Sequence, residues 1–137
     1  MCLDYELTKP EADKIKAEAR KRGYIRVYKV CEQKQTGWYQ GTRWKEGQHK
    51  AKNLKQRDGG WYAYLNIASA RGVRNYWGSD SHYIKVCYAK PSWIKRLGKN
   101  YLSKLNFAGI FTHLAFPDWD KGDMTIREFR AMCKGKP

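Results

Sequence analysis

Arg43, Lys45, Lys50, Lys52, Lys55 and Arg57 make a row of cations in a stretch that also carries Trp38, Tyr39 and Trp44, with glycines at 37, 41 and 47. Guanidinium and ammonium groups neutralise phosphates, indole and phenol rings stack on unpaired bases, and glycine lets backbone approach a ligand closely. Residues of these types at this spacing suit the holding of a nucleic-acid strand. In an unbroken strand Trp38 and Trp44 share a face, with Gln40 and Thr42 between them. A plainer alternative makes both tryptophans core residues, since Trp is highly buried on average, and leaves the lysines in a solvated loop.

Two more blocks repeat the theme. Lys9 to Val30 holds eight Lys/Arg against three acids, Lys34 to Arg57 seven against one, and Tyr83 to Lys104 six against none. The first adds Lys14, Arg20, Lys21 and Arg22 to the candidate binding set, and the third adds Lys95, Arg96 and Lys99 beside Trp93. A formal charge of +15 on 137 residues opposes compaction through self-repulsion, so an anionic partner is the natural counterweight. Because exposed aromatics reward unstacked bases, RNA or single-stranded DNA, free or within a host nucleoprotein complex, is expected over a specific duplex. The alternative is an inhibitor that docks its basic surface on an acidic host protein, steered by charge. The first block also has a blander reading, a solvated helix face laced by pairs such as Glu18–Arg22, each worth a few tenths of a kcal/mol.

Groups that could carry catalysis are scarce. One cluster stands out, His113 with Asp118, Asp120 and Asp123, which would have to hold a divalent metal to make the chain a nuclease, the third reading. Counted from Asp118, it lacks the sixth-position glycine and twelfth-position glutamate of a calcium loop. A polar turn whose acids neutralise the amino end of a following helix explains it more simply. No Walker A, GxSxG, HExxH or GxGxxG sequence occurs. No catalytic residue, metal ligand or cofactor is therefore expected. Cys2, Cys31, Cys87 and Cys133 form no CxxC pair, His82 and Cys87 alone have a weak zinc-like spacing, and reduced, mostly buried thiols are expected. The start has no basic, apolar leader, and no run approaches the roughly 18 apolar residues of a membrane span, so the cytosol is the expected compartment and no membrane partner is expected. Oligomeric state is not legible.

The elements that must position these residues are signalled unevenly. Thr8-Lys-Pro-Glu11 reads as a capping box opening a helix that runs to about Arg22 and ends at Gly23. Its apolar stripe, Ala12, Ile15 and Ala19, is thin, so the helix should dock lightly and present charge. Tyr24 to Cys31 alternates as a strand, with Tyr24, Arg26 and Tyr28 on one face and Ile25 and Val27 on the other. Further strands are expected over Gly37 to Trp44, Trp61 to Ile67, His82 to Ala89 and Phe107 to Phe116, with a polar loop from Lys45 to Gly60. Short helical pieces are expected from Asn66 through Ala70, closed by Arg71-Gly72, and from Ser92 to Leu97. Thr125-Ile-Arg-Glu128 is a second capping box, opening a last helix to about Lys134. Bunched strands between two terminal helices argue for a single α+β domain over residues 1–137, with an antiparallel or mixed sheet flanked by the two helices.

The layout of Tyr28-Lys-Val, Gly60-Trp-Tyr-Ala-Tyr-Leu-Asn with Ala68 and Ala70, Ile84-Lys-Val, and Trp93-Ile94 before Leu97-Gly98 resembles small, uncharacterised accessory proteins of bacteriophages and mobile elements. The resemblance implies a stoichiometric factor that acts on host nucleic acids or blocks host defences. Some such proteins also resemble ADP-ribosyltransferases, in which an Arg on the first strand and a late Gln/Glu-x-Glu matter. Arg26 takes the first place, and no such acidic pair stands in this chain.

Overall fold

The computed structural model describes residues 3–33, 36–37, 44–78, 82–102, 104–118 and 123–134. Trp38 and Arg43 of the candidate set lie outside the described residues, as does Asp120.

The fold is α+β, an antiparallel sheet with three helices. Helix α1 spans Lys9–Arg22. The Thr8 hydroxyl accepts the Glu11 amide while the Glu11 carboxylate accepts the Thr8 amide, and Gly23 ends the helix at φ +88°. Ala19 is the one buried side chain of α1, with Ala12 and Ile15 half-buried, so the helix does dock lightly. The strands are β1 (Tyr5–Glu6), β2 (Ile25–Gln33), β3 (Thr36–Gly37), β4 (Gly47–Lys50), β5 (Trp61–Tyr64), β6 (Tyr83–Ala89), β7 (Ile94–Leu102), β8 (Lys104–Phe111) and β9 (His113–Phe116). Their order is β1-β7-β8-β5-β2-β6-β9-β4, with β3 paired to β2. Every pairing among the described residues is antiparallel.

Helices α2 (Ile67–Trp77) and α3 (Ile126–Cys133) each bury apolar surface in one of two cores. α2 places Ala70 and Val73 against Val30, Tyr62, Tyr64 and Ile110. α3 places Phe129 in the larger cluster with Val27, Trp93, Phe111 and Leu114. The Thr125 capping box sets where α3 begins, again with both reciprocal hydrogen bonds made.

Several expectations need correction. The segment read as a loop contains β4, whose Gly-Gln-His-Lys has no apolar alternation and is strand because it pairs with β9 from Gly47↔Phe116 to Lys50↔His113. Trp44 lies outside any strand. α2 does not stop at Gly72 but runs on to Trp77. Glycine inside a helix costs about 1 kcal/mol, and burial of Ala70 and Val73 on either side of it opposes that cost. The helix expected over Ser92 to Leu97 is a 3-10 turn, Pro91–Trp93, followed at once by β7, which pairs with β8 along nearly its whole length. Long-range pairing there outweighs a local pattern that fitted helix and strand alike. The expected strand through Phe116 divides at Thr112, whose amide and carbonyl are taken by Trp93 and Ala51.

Candidate functional site

Tyr24 leads into β2, whose start carries Arg26 and Tyr28, and α1 lies over this end so lightly that a cleft of about 1100 Å3 lined by all three remains. Lys14, Ile15 and Arg22 stand on its helical side, while Leu65 and Ile67 close it from the start of α2. The rings at its floor are held by one another. Tyr24 stacks on Tyr88 at 4.9 Å and 16°, and donates its hydroxyl to the Met124 carbonyl at 3.2 Å. Tyr88 donates to the Asp123 carboxylate and accepts the Met124 amide, both at 3.0 Å. Burial pushes the Tyr88 phenol up to about 12, against the Met124 amide and with help from the Asp123 bond. It therefore stays protonated and remains a donor at neutral pH.

Arg26 completes the network. Its guanidinium lies 2.5 Å from the Asp123 carboxylate and 5.8 Å from the Tyr28 ring centroid, so charge and stacking both orient it. Three acids line the cleft, Glu11, Glu18 and Asp123, against three cations, Lys14, Arg22 and Arg26. That balance suits a flat, uncharged group such as a base better than a phosphate. The cleft was not among the candidate residues beyond Lys14 and Arg22. The signal for it was the Tyr24-Arg26-Tyr28 face, which alternation exposed but charge counting passed over.

The candidate cations divide sharply. Lys14, Arg20, Lys21 and Arg22 are exposed on α1, where Arg22 pairs with Glu18 at 3.6 Å and Arg20 helps hold the Asp13 carboxyl below its usual range. Lys45, Lys50, Lys52, Lys55 and Arg57 are exposed as well, Arg57 standing 3.8 Å from Glu6. In the third block, by contrast, Lys95 donates to the carbonyls of Leu54 at 2.9 Å and Gly59 at 2.7 Å, and also to that of Gln56. Arg96 bridges Glu6, at 2.6 Å, and Asp58, with its side chain 14% exposed. Lys99 sits 3.8 Å from Glu11 and over the Phe107 ring. These side chains tie the 51–60 loop and β1 to the sheet, and for Lys95 and Arg96 the expected place in the binding set gives way to this structural role. Lys29 and Lys85 are buried. Lys29 donates to the Tyr62 carbonyl at 2.6 Å, and burial pushes its ammonium pKa down.

Trp44 is corrected in the same way. It is fully buried, stacked on Phe116 at 4.7 Å and met edge-on by Trp61 at 4.8 Å, so it is a core ring rather than an exposed platform. The exposed large aromatics among the described residues are tyrosines, Tyr5, Tyr76, Tyr83 and Tyr101.

Of the acidic cluster, Asp123 is engaged by Arg26 and Tyr88, and no group of three His, Cys, Asp or Glu among the described residues is placed to hold a metal. Cys31 and Cys87 are buried free thiols, raised by burial, and Cys133 is half-buried. Among the described residues no helix is long and apolar enough to cross a membrane.

Fold and site together define an antiparallel α+β protein with a basic surface and a tyrosine-floored cleft under its first helix. Comparison with family models, curated proteins and solved structures finds no match to this chain.

Proposed function

We propose that this chain is a small nucleic-acid-binding protein, a single basic α+β domain of the cytosol that takes RNA or single-stranded DNA and acts stoichiometrically, in the manner of phage-type accessory or anti-defence factors. The observation that carries this reading is the cleft: Tyr24, Arg26 and Tyr28 line it together, two rings and a guanidinium, beneath a helix whose outer side is lysine and arginine. Bases stack on rings and guanidinium planes without regard to sequence, whereas phosphates are neutralised by exposed cations, so floor and rim divide the work. Engagement of Asp123 by Arg26 and Tyr88 favours binding over metal-assisted cleavage, since a metal ligand would first have to be released.

The test is fluorescence anisotropy with labelled oligouridylate and oligothymidylate over a salt series. Neutralising about four to six phosphates of a single strand gives a slope of log K against log salt of about −3 to −4. Tyr28→Ala is expected to weaken binding by about 1–3 kcal/mol while leaving that slope unchanged. Binding absent at low salt, or indifferent to salt, contradicts the reading and leaves an acidic protein surface as the partner to pursue.

A further inference from the structure

A second hollow, of about 530 Å3, adjoins the corner where α1 turns into β2. Gly23 lines it, while the residues on either side, Arg22 and Tyr24, line the cleft. Pro91, Phe129 and Cys133 form its apolar surfaces and Lys90, Arg130 and Lys134 its polar rim. No acid among the described residues lines this hollow, in contrast to the charge-balanced cleft. None of the ion pairs among the described residues engages these three cations either. Lys90 lies 5.6 Å above the Trp93 ring, with its charge backed by an apolar face. A side chain at position 23 would be strained at φ +88° and would crowd Ile126 at 3.0 Å, so glycine is what lets the chain turn this corner.

Cations near helix carboxyl ends have an ordinary explanation, and both α1 and α3 end here. Magnitude decides against it as the whole account. Two carboxyl ends bring about −0.5 charge each, and α1 already carries Arg20, Lys21 and Arg22 in its own last turn. Three further positive side chains exceed what the dipoles can balance. The volume falls within the range of small-ligand sites, about 300–1,000 Å3.

We propose that this hollow holds a phosphate of the same strand whose bases occupy the cleft, so that the nucleic acid crosses the α1–β2 corner at Arg22–Tyr24. This assignment rests on the nucleic-acid reading above and adds a direction to it. The two sites adjoin along the chain at Arg22–Tyr24, so that one strand crossing this corner would set a base on tyrosine and a phosphate on Lys90 and Arg130.

Cys133 supplies a reporter, since it lines the hollow while the other described thiols, Cys31 and Cys87, are fully buried. In a Cys2→Ser background, maleimide labelling of Cys133 is measured with and without oligouridylate, beside anisotropy salt series on the parent and a Lys90→Gln/Arg130→Gln variant. Expected are several-fold slower labelling in the presence of the oligonucleotide and a salt slope shallower by about 0.7, the contribution of one phosphate of a single strand. If the parent chain binds but either the labelling rate or the slope is unchanged, the hollow is not the phosphate site and the cleft reading stands. If the parent chain binds no oligonucleotide at low salt, both assignments fall.

Discussion

Lys95 and Arg96 on β7 and Lys50, Lys52 and Lys55 around the end of β4 come from stretches of similar basic composition, yet their ammonium and guanidinium groups meet opposite surroundings. Lys95 reaches three backbone carbonyls of the 51–60 loop, and Arg96 reaches Glu6 and Asp58. Lys50, Lys52 and Lys55 project into solvent from the same neighbourhood. A turn such as the 51–60 loop leaves carbonyl groups without helix or sheet partners, and a cation from the strand beneath satisfies them. The loop is in turn held in a shape that presents its own lysines outward. One set of charges is thus structural, while the other is left facing solvent.

The contrast can be tested by breaking each side of it, and the largest effect lies in the core behind the exposed lysines. Trp44→Ala removes a ring enclosed by Phe116, Trp61 and His49. It should cost about 3–5 kcal/mol in a denaturant titration. Were Trp44 an exposed platform, the same change would spare stability and strike binding alone. Next in size is Lys95→Met, which keeps an apolar stem but deletes the charged donor to the loop carbonyls. A loss of about 1.5–3 kcal/mol in stability is expected, with oligonucleotide affinity and salt slope unaltered once the chain is folded. A shallower slope in this variant would return Lys95 to the binding surface. The smallest effect on stability belongs to Lys50→Ala/Lys52→Ala/Lys55→Ala, within about 0.5 kcal/mol of the parent. If all three meet phosphates, its salt slope should nonetheless become shallower by about 2, at roughly 0.7 per contact. An unchanged slope would make these lysines a merely solvated surface.

How much could be read in advance depended on whether the determining interaction was local. Both capping boxes were legible because Thr8–Glu11 and Thr125–Glu128 make their hydrogen bonds within one turn. β2 was legible from alternation, and β6 was expected one residue longer than it is, from His82 rather than Tyr83. β4 was hidden because nothing in Gly47–Lys50 marks a strand until β9 lies alongside it. β7 was mistaken for a helix because its partner lies across a turn, and α2 was cut short because Gly72 has the look of a terminus without being one. The cleft was hidden more deeply, since Arg26 and Asp123 stand almost a hundred residues apart and only the fold brings them together. Charge counting found the exposed cations of α1 and the 45–57 segment, yet it could not separate them from Lys29 and Lys85, which are buried, or from Lys95 and Arg96, which are engaged.

The central claim is that a single strand lies in the cleft between α1 and β2. A proton–nitrogen correlation spectrum of the 15N-labelled chain, titrated with oligouridylate and oligothymidylate at low salt, tests it most directly. The account predicts shifts centred on the amides of Lys14 to Tyr28, Leu65 to Ile67 and Asp123 to Thr125, with the Lys95 and Arg96 amides unmoved. An unperturbed spectrum, or shifts centred away from the cleft, would contradict it.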